Sequence, residues 1–453
     1  MITFALCLLY VALIYIRPGE IVPALADLHL PMVVLIIGSV SAAASLFMKR
    51  RPFVNLPGDL CFLGFIVATM VSNPVNGRFT VGPGGLEALL PLVGFYLFIR
   101  ISVRTARQMR WLLGLVILLT MFQATNGILQ AWTGAGFGGS TVVMTPTGEN
   151  PDDFDNPDGS AIARIRGTGI FGDPNDLAMA LLLAFPFLFT AVLDADAAML
   201  RRLLALAMLA VVSYAVLLTQ SRGGFVGLAA LGAAYAYRRL GRTTAVVAVV
   251  VLLGVILAAP GRIREVSASE ASAQGRIQAW VAGVEMLKAK PVLGVGTGEF
   301  TAYHPRVAHN SFVHVFAETG LVGLFFFVGM FYWFFVTTGP RRNVAGAVDS
   351  ALARDLWAGC IGLIVCACFL SRQYVPILYI PLALGAARLT IARSADETRV
   401  DTTGAMAAPV PAGIPNEMPD RTSGGQWWDW PIQGVVTAGV VVAAYVVIRT
   451  LAA

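Results

Sequence analysis

Ala308-His309-Asn310-Ser311-Phe312-Val313-His314 stands at the mouth of a long apolar run. A neutral imidazole at such a boundary can take a proton from an attacking hydroxyl, because it titrates near neutral pH. His309 is therefore the candidate base, against the plainer alternative of a histidine that only hydrogen-bonds its own loop. Asn310 or Ser311 can cap the helix that begins there. His314 lies one turn deeper, and Glu318 four residues beyond it could orient that ring or serve as a base, or be a buried structural partner. His304, His309 and His314 are spaced by five, which splays them on a helix and argues against a metal cluster.

Two arginines complete the candidate chemistry. Arg222 sits in the tight turn Gln220-Ser221-Arg222-Gly223-Gly224, whose glycines let the chain turn and helices approach. Arg276 opens a helical stretch that Pro291 stops, with Trp280, Val284 and Leu287 on one apolar face that could lie on the membrane surface. Guanidinium is the group best shaped to hold phosphate, with five donors in a planar fork. The alternative for each is an arginine reaching solvent or the interface. Arg372, in the short turn Ser371-Arg372-Gln373-Tyr374, is a secondary candidate with His314, Glu318 and Asn310.

Other motifs read as structure. Asp173-Pro174-Asn175-Asp176 looks like a helix start, with Asp173 as cap and Pro174 at the first helical position. Gly294-Val295-Gly296-Thr297-Gly298 follows no strand and lacks nucleotide-binding spacing, so it reads as a turn. The Asp152–Asp158 cluster departs from calcium-loop spacing because Pro157 occupies a ligand position. The five cysteines are odd in number and sit in apolar runs, which predicts neither disulfides nor a cysteine metal site.

The elements that must position these residues are membrane helices. Charged residues make up 13% and apolar residues 57% of the 453, so the chain reads as an all-α polytopic membrane protein. The apolar start at 2–16 lacks a basic n-region and reads as a retained first helix. Runs long enough to span follow near 31–48, 58–72, 84–99, 111–131, 175–193, 203–219, 223–237, 243–259, 311–337, 355–370 and 374–387. That predicts about 12 transmembrane helices, and 431–453 a possible thirteenth at the C-terminus. Arg and Lys clusters in every second loop place those loops and the N-terminus in the cytoplasm. The long loops 132–172 and 260–310 then face outward, the second with short helices, and residues 1–393 form one transmembrane domain. Residues 394–430, rich in Pro, Thr, Ala and Gly, read as a flexible cytoplasmic linker. The net charge of +6 lies in short interhelical clusters and does not imply nucleic acid.

Four places in the chain resemble the O-antigen ligase family, within the membrane O-antigen ligases and polymerases. They are Gly167–Ala178, Thr219-Gln220-Ser221-Arg222-Gly223, Gly275–Trp280 running on to Gly294–Gly296, and His309-Asn310-Ser311-Phe312. The resemblance implies a membrane glycosyltransferase of the bacterial inner membrane with a periplasmic active site. The donor would be a glycan on undecaprenyl pyrophosphate and the acceptor a sugar hydroxyl of lipid A–core. Arg222 and Arg276 would hold the pyrophosphate and His309 would activate the acceptor. Two guanidiniums can stabilise the departing anion, so the reaction would be metal-independent, without a cofactor, and inverting.

Other functions remain open on this reading. A polymerase of the same group would extend a second polyprenyl-linked chain, and a related ligase would deliver glycans to protein. A transporter would place its polar groups near the midplane, on broken helices. Here they cluster at the outer face, and the helices read as lacking buried charge pairs, which favours an enzyme.

Overall fold

The computed structural model describes residues 2–48, 56–78, 86–146, 161–247, 271–339, 350–404 and 433–442. Its main helices are α1 (Ile2–Ile16), α2 (Leu30–Met48), α3 (Pro57–Val75), α4 (Leu86–Ser102), α5 (Ala106–Thr133), α6 (Pro174–Leu182), α7 (Phe185–Val192), α8 (Met199–Leu218), α9 (Arg222–Leu240), α10 (Ala271–Ala289), α11 (Ser311–Thr338), α12 (Ser350–Ala367) and α13 (Ile380–Gly404). A further apolar helix, α14, covers Gln433–Val442.

Among the described residues, eight helical stretches are long and apolar enough to cross a bilayer, α6 and α7 together forming one. The expected total of about 12 also counted α4, α9, the start of α13 and residues 243–259. Leu89–Ser102 and Pro376–Ala392 are shorter apolar helices, and residues 248–259 lie outside the described residues. So do the Asp152–Asp158 cluster and most of the expected linker. The linker's first residues are helical instead, because α13 continues to Gly404.

Two further readings are corrected. The all-α reading gives way in the 132–172 loop, where β1 (Val143–Pro146) pairs antiparallel with β2 (Ala161–Arg164), Val143 facing Arg164. The β-branched Val143 and Thr145 of β1 suit a pleated strand better than a helix. Nor do the helices lack buried charge pairs. Arg100 of α4 donates through Nε and Nη2 to Asp59 of α3, at 3.3 and 3.2 Å, and Tyr96 adds its hydroxyl at 2.9 Å. Each charge is held by its partner, which makes the pair tolerable in an apolar bundle.

Small residues set the packing around the site. A Cβ on Gly227 of α9 would come 2.5 Å from Cys366 Sγ and 3.0 Å from the Gly362 carbonyl of α12. Glycines at both positions let the two backbones approach, as at close membrane-helix crossings. A Cβ on Gly224 would stand 2.7 Å from that of Ala178, so α9 also lies tightly on α6.

α11 is broken at Gly320, whose φ of 65° is left-handed and whose missing Cβ leaves room for the Val292 carbonyl group. The neighbouring segment takes up the backbone groups released by the break. Leu321 N–H donates to Pro291 O at 2.8 Å and Val322 N–H to Val292 O at 3.2 Å. Val295 and Gly296 N–H groups return the contact to Ala317 O and Glu318 O at 3.0 and 3.1 Å. Ser72 and Asn76 of α3 fasten the same segment through Leu293 O and Gly294 O. Non-helical backbone at this depth is thus buried in protein and paired.

Candidate functional site

The N-termini of α6, α9 and α11 and the C-terminus of α12 meet at one end of the bundle. Each N-terminus is capped by a side chain, as its sequence requires. Asp173 accepts from the Asn175 N–H at 2.7 Å, with Pro174 at the first helical position. Ser221 accepts from the Gly224 N–H at 3.1 Å. Asn310 accepts from the N–H groups of Phe312 and Val313 at 2.9 and 3.2 Å. Ser311, the other cap candidate, instead donates to Leu370 O at 2.6 Å and accepts the Arg372 N–H at 2.9 Å.

Two residues that are not glycine adopt left-handed backbone here, Gln220 at φ 50° and His309 at φ 48°. The Ser-Arg turn is therefore made by Gln220, while Gly224 serves close packing. His309 is held on both sides: Trp280 Nε1 donates to the Ala308 carbonyl at 2.7 Å, and Asn310 is fixed by its cap. A left-handed residue with a side chain costs about 1–2 kcal/mol and persists only where its surroundings determine it. The expectation for α10 changes accordingly. Its apolar face packs on α11, and a Cβ on Gly283 would come 2.6 Å from Val313 Cγ1.

His309 is half-buried, and its surroundings favour the neutral ring. Burial pushes its pKa below the ordinary imidazole value, and the charges of Arg276, Arg372 and Arg306 push the same way. Asp173 opposes them. Arg276 comes from the first turns of α10, Arg372 from the turn after α12, and Arg306 from the loop before His309. A Cβ on Gly275 would stand 2.8 Å from Arg306 Nη1, so that cation lies beside the start of α10.

Beneath Arg222 the anchoring is polar. Asn175 Oδ1 accepts from Ser221 Oγ at 2.8 Å and from Arg164 Nη2 at 2.9 Å, while its amide donates to Asp173 at 2.9 Å. Arg164 also donates to the Thr219 carbonyl at 2.8 Å. One amide thus ties the Ser-Arg turn to the cap of α6 and to β2. Arg372 donates through Nε and Nη2 to both oxygens of Asp176, the second at 2.8 Å.

Arg222, Arg276, His309, Asn310 and Arg372 therefore share one end of the bundle. His314 and Glu318 lie deeper and bind each other, Nε2 to Oε1 at 3.0 Å, and that oxygen also accepts the Phe300 N–H at 3.2 Å. Glu318 thus joins α11 to the loop before it. The sequence assigns Asn175 and Asp176 to a helix start in preference to substrate contact, and it does not single out Arg164. For Asp176 a signal was available, a carboxylate one turn inside an apolar helix, which needs a partner. Arg164 ends the four-residue strand β2, too short for its spacing to single out a residue.

Arginine charge gathered near His309 can attract an anion, and the neutral imidazole can take a proton from a hydroxyl. No curated protein matches the chain. Residues 204–328 match a family model described as O-Antigen ligase, a span that contains Arg222, Arg276, His309, Asn310, His314 and Glu318.

Proposed function

From the match of residues 204–328 to the O-antigen ligase family model, we propose that this protein is an O-antigen ligase of the bacterial inner membrane. It moves a glycan from undecaprenyl pyrophosphate to a sugar hydroxyl of lipid A–core on the periplasmic face. The observation that carries this reading is the meeting of the capped starts of α9 and α11 with the Arg372 turn at one end of the bundle, where the charges of Arg276, Arg306 and Arg372 act on His309.

Each side chain has a task in that reaction. Arg222 and Arg276 bind the pyrophosphate, and their positive charge is worth most as the leaving group becomes a free anion. His309, kept neutral by burial and by the charges of Arg276, Arg372 and Arg306, accepts the proton of the acceptor hydroxyl as the new glycosidic bond forms. The proton passes to the imidazole and the bonding electrons of the anomeric carbon leave with the pyrophosphate. Attack opposite to the leaving group inverts the anomeric centre. Arginine charge alone can stabilise the departing anion, so the reaction runs without a metal.

The test uses the purified full chain in liposomes with undecaprenyl-pyrophosphate glycan, lipid A–core and EDTA. Glycan on lipid A–core, lost in His309→Ala, is the expected result. Longer chains still on the polyprenyl carrier would make the protein a polymerase. No transfer to either acceptor would overturn the reading and leave protein glycosylation or transport.

A further inference from the structure

Asp176 has no place in the reaction just described, yet it is 7% exposed and charged at the start of an apolar helix. Its carboxylate is spent on one group, Arg372, gripped in a side-on fork through Nε and Nη2. The backbone of Arg372 is fixed as well, its N–H bonded to Ser311 Oγ at 2.9 Å, two residues beyond His309. The third guanidinium nitrogen donates to the Ser371 carbonyl at 3.2 Å. Each of the three nitrogens of Arg372 thus has a protein partner, which fixes the plane of the fork. What it offers the site is its charge, at a fixed place.

We propose that Asp176 is a positioning residue acting through Arg372: the ion pair holds a guanidinium beside His309 and sets the charge which that histidine meets. This rests on His309 being the base. A fixed fork suits the task, because a charge on a free side chain would be averaged over rotamers and screened by water. The groups whose charges reach His309 are Arg276 from α10, Arg306 from the preceding loop, Arg372 from the turn after α12 and Asp173 from the cap of α6. Arg372 is locked in a bidentate ion pair with Asp176, which keeps its charge in one place.

The two halves of the pair therefore predict shifts of the same sign. Arg372→Gln removes a cation, so His309 protonates more readily. Asp176→Asn frees the guanidinium to swing and be screened by water, so His309 again protonates more readily, by less. The measurement is the titration of His309 in the full chain, in nanodiscs with ring-labelled histidine. The chain has four histidines, and His309→Gln assigns the signal. The expected shift is about half a pH unit upward for Arg372→Gln and a smaller upward one for Asp176→Asn. Arg372→Lys should retain much of the wild-type value. The low-pH limb of transfer should move the same way, changing the rate on that limb ~3-fold.

Should Asp176→Asn fail to fold, Asp176→Asn with Arg372→Gln removes both charges together, and its His309 should titrate as in Arg372→Gln alone. Unchanged titration in Arg372→Gln, with the protein folded, overturns the proposal. Full transfer by His309→Ala would instead overturn the base assignment, whatever the titration shows.

Discussion

At the scale of single residues, His309 has its charge state set before any substrate arrives. Its pKa is lowered by burial and by three arginines, so the neutral ring survives to a pH below its ordinary range. The sign is that of a base: activity falls as pH falls through the folded value. The limb in kcat/KM, which reports the free enzyme, should therefore lie below about 6.5. A pyrophosphate bound at the arginines would cancel part of their field and raise the histidine's pKa. The limb in kcat should then lie higher than that in kcat/KM, and coincident limbs would argue against anion binding beside His309. His309→Ala should lower kcat by about 100-fold or more, the usual contribution of a positioned base. Sequence alone could nominate this histidine from its place before an apolar run. The four groups that tune it come from distant parts of the chain, and local spacing carries no trace of them.

Helix ends do the positioning at the scale of elements. Asp173 and Pro174 at the start of α6, and the polar residues before α11, were legible because capping follows local rules. The choice between Asn310 and Ser311 was not, since Ser311 is drawn to Leu370 and Arg372 from a turn sixty residues on. The lipid-facing placement of α10 failed for the same reason, an apolar stripe being equally suited to bilayer or protein. Asn310→Ala should cost about 1 kcal/mol from the lost cap, read by thermal unfolding, and should reduce transfer further by freeing the backbone of His309. Trp280→Phe keeps the ring but removes the donor to Ala308. It should leave stability within about 1 kcal/mol of wild type and still depress kcat. A Trp280→Phe enzyme with unaltered kcat would show that the left-handed His309 holds itself.

The whole molecule divides into a worked end and a plain end. Asp59 and Arg100 lie away from the candidate site, yet they are among the most buried charges present, at 1% and 8% exposure. Removing one partner strands the other, so Arg100→Ala should destabilise the protein by about 3–5 kcal/mol. KM for both substrates should be unchanged in the folded fraction, and a raised KM would mean that the far end is coupled to the site. Hydropathy gave most of the helices but missed this pair, because each residue alone resembles an ordinary loop-adjacent charge. Sidedness can be read directly. Ala302→Cys lies on an exposed helical turn beside the site, and an impermeant maleimide should label it from the periplasm. Labelling only from the cytoplasm would invert the topology.

The break in α11 bears on how the protein is made. A helix interrupted at Gly320 would enter the bilayer with bare amide and carbonyl groups if it arrived alone. Its partner, Pro291–Gly296, precedes it in the chain, and the α3 residues that brace that partner come earlier still. Vectorial synthesis therefore delivers the receiving surface before the element it must receive. A circular permutant that emits α11 ahead of residues 291–296 should insert poorly, although its finished contacts would be the same.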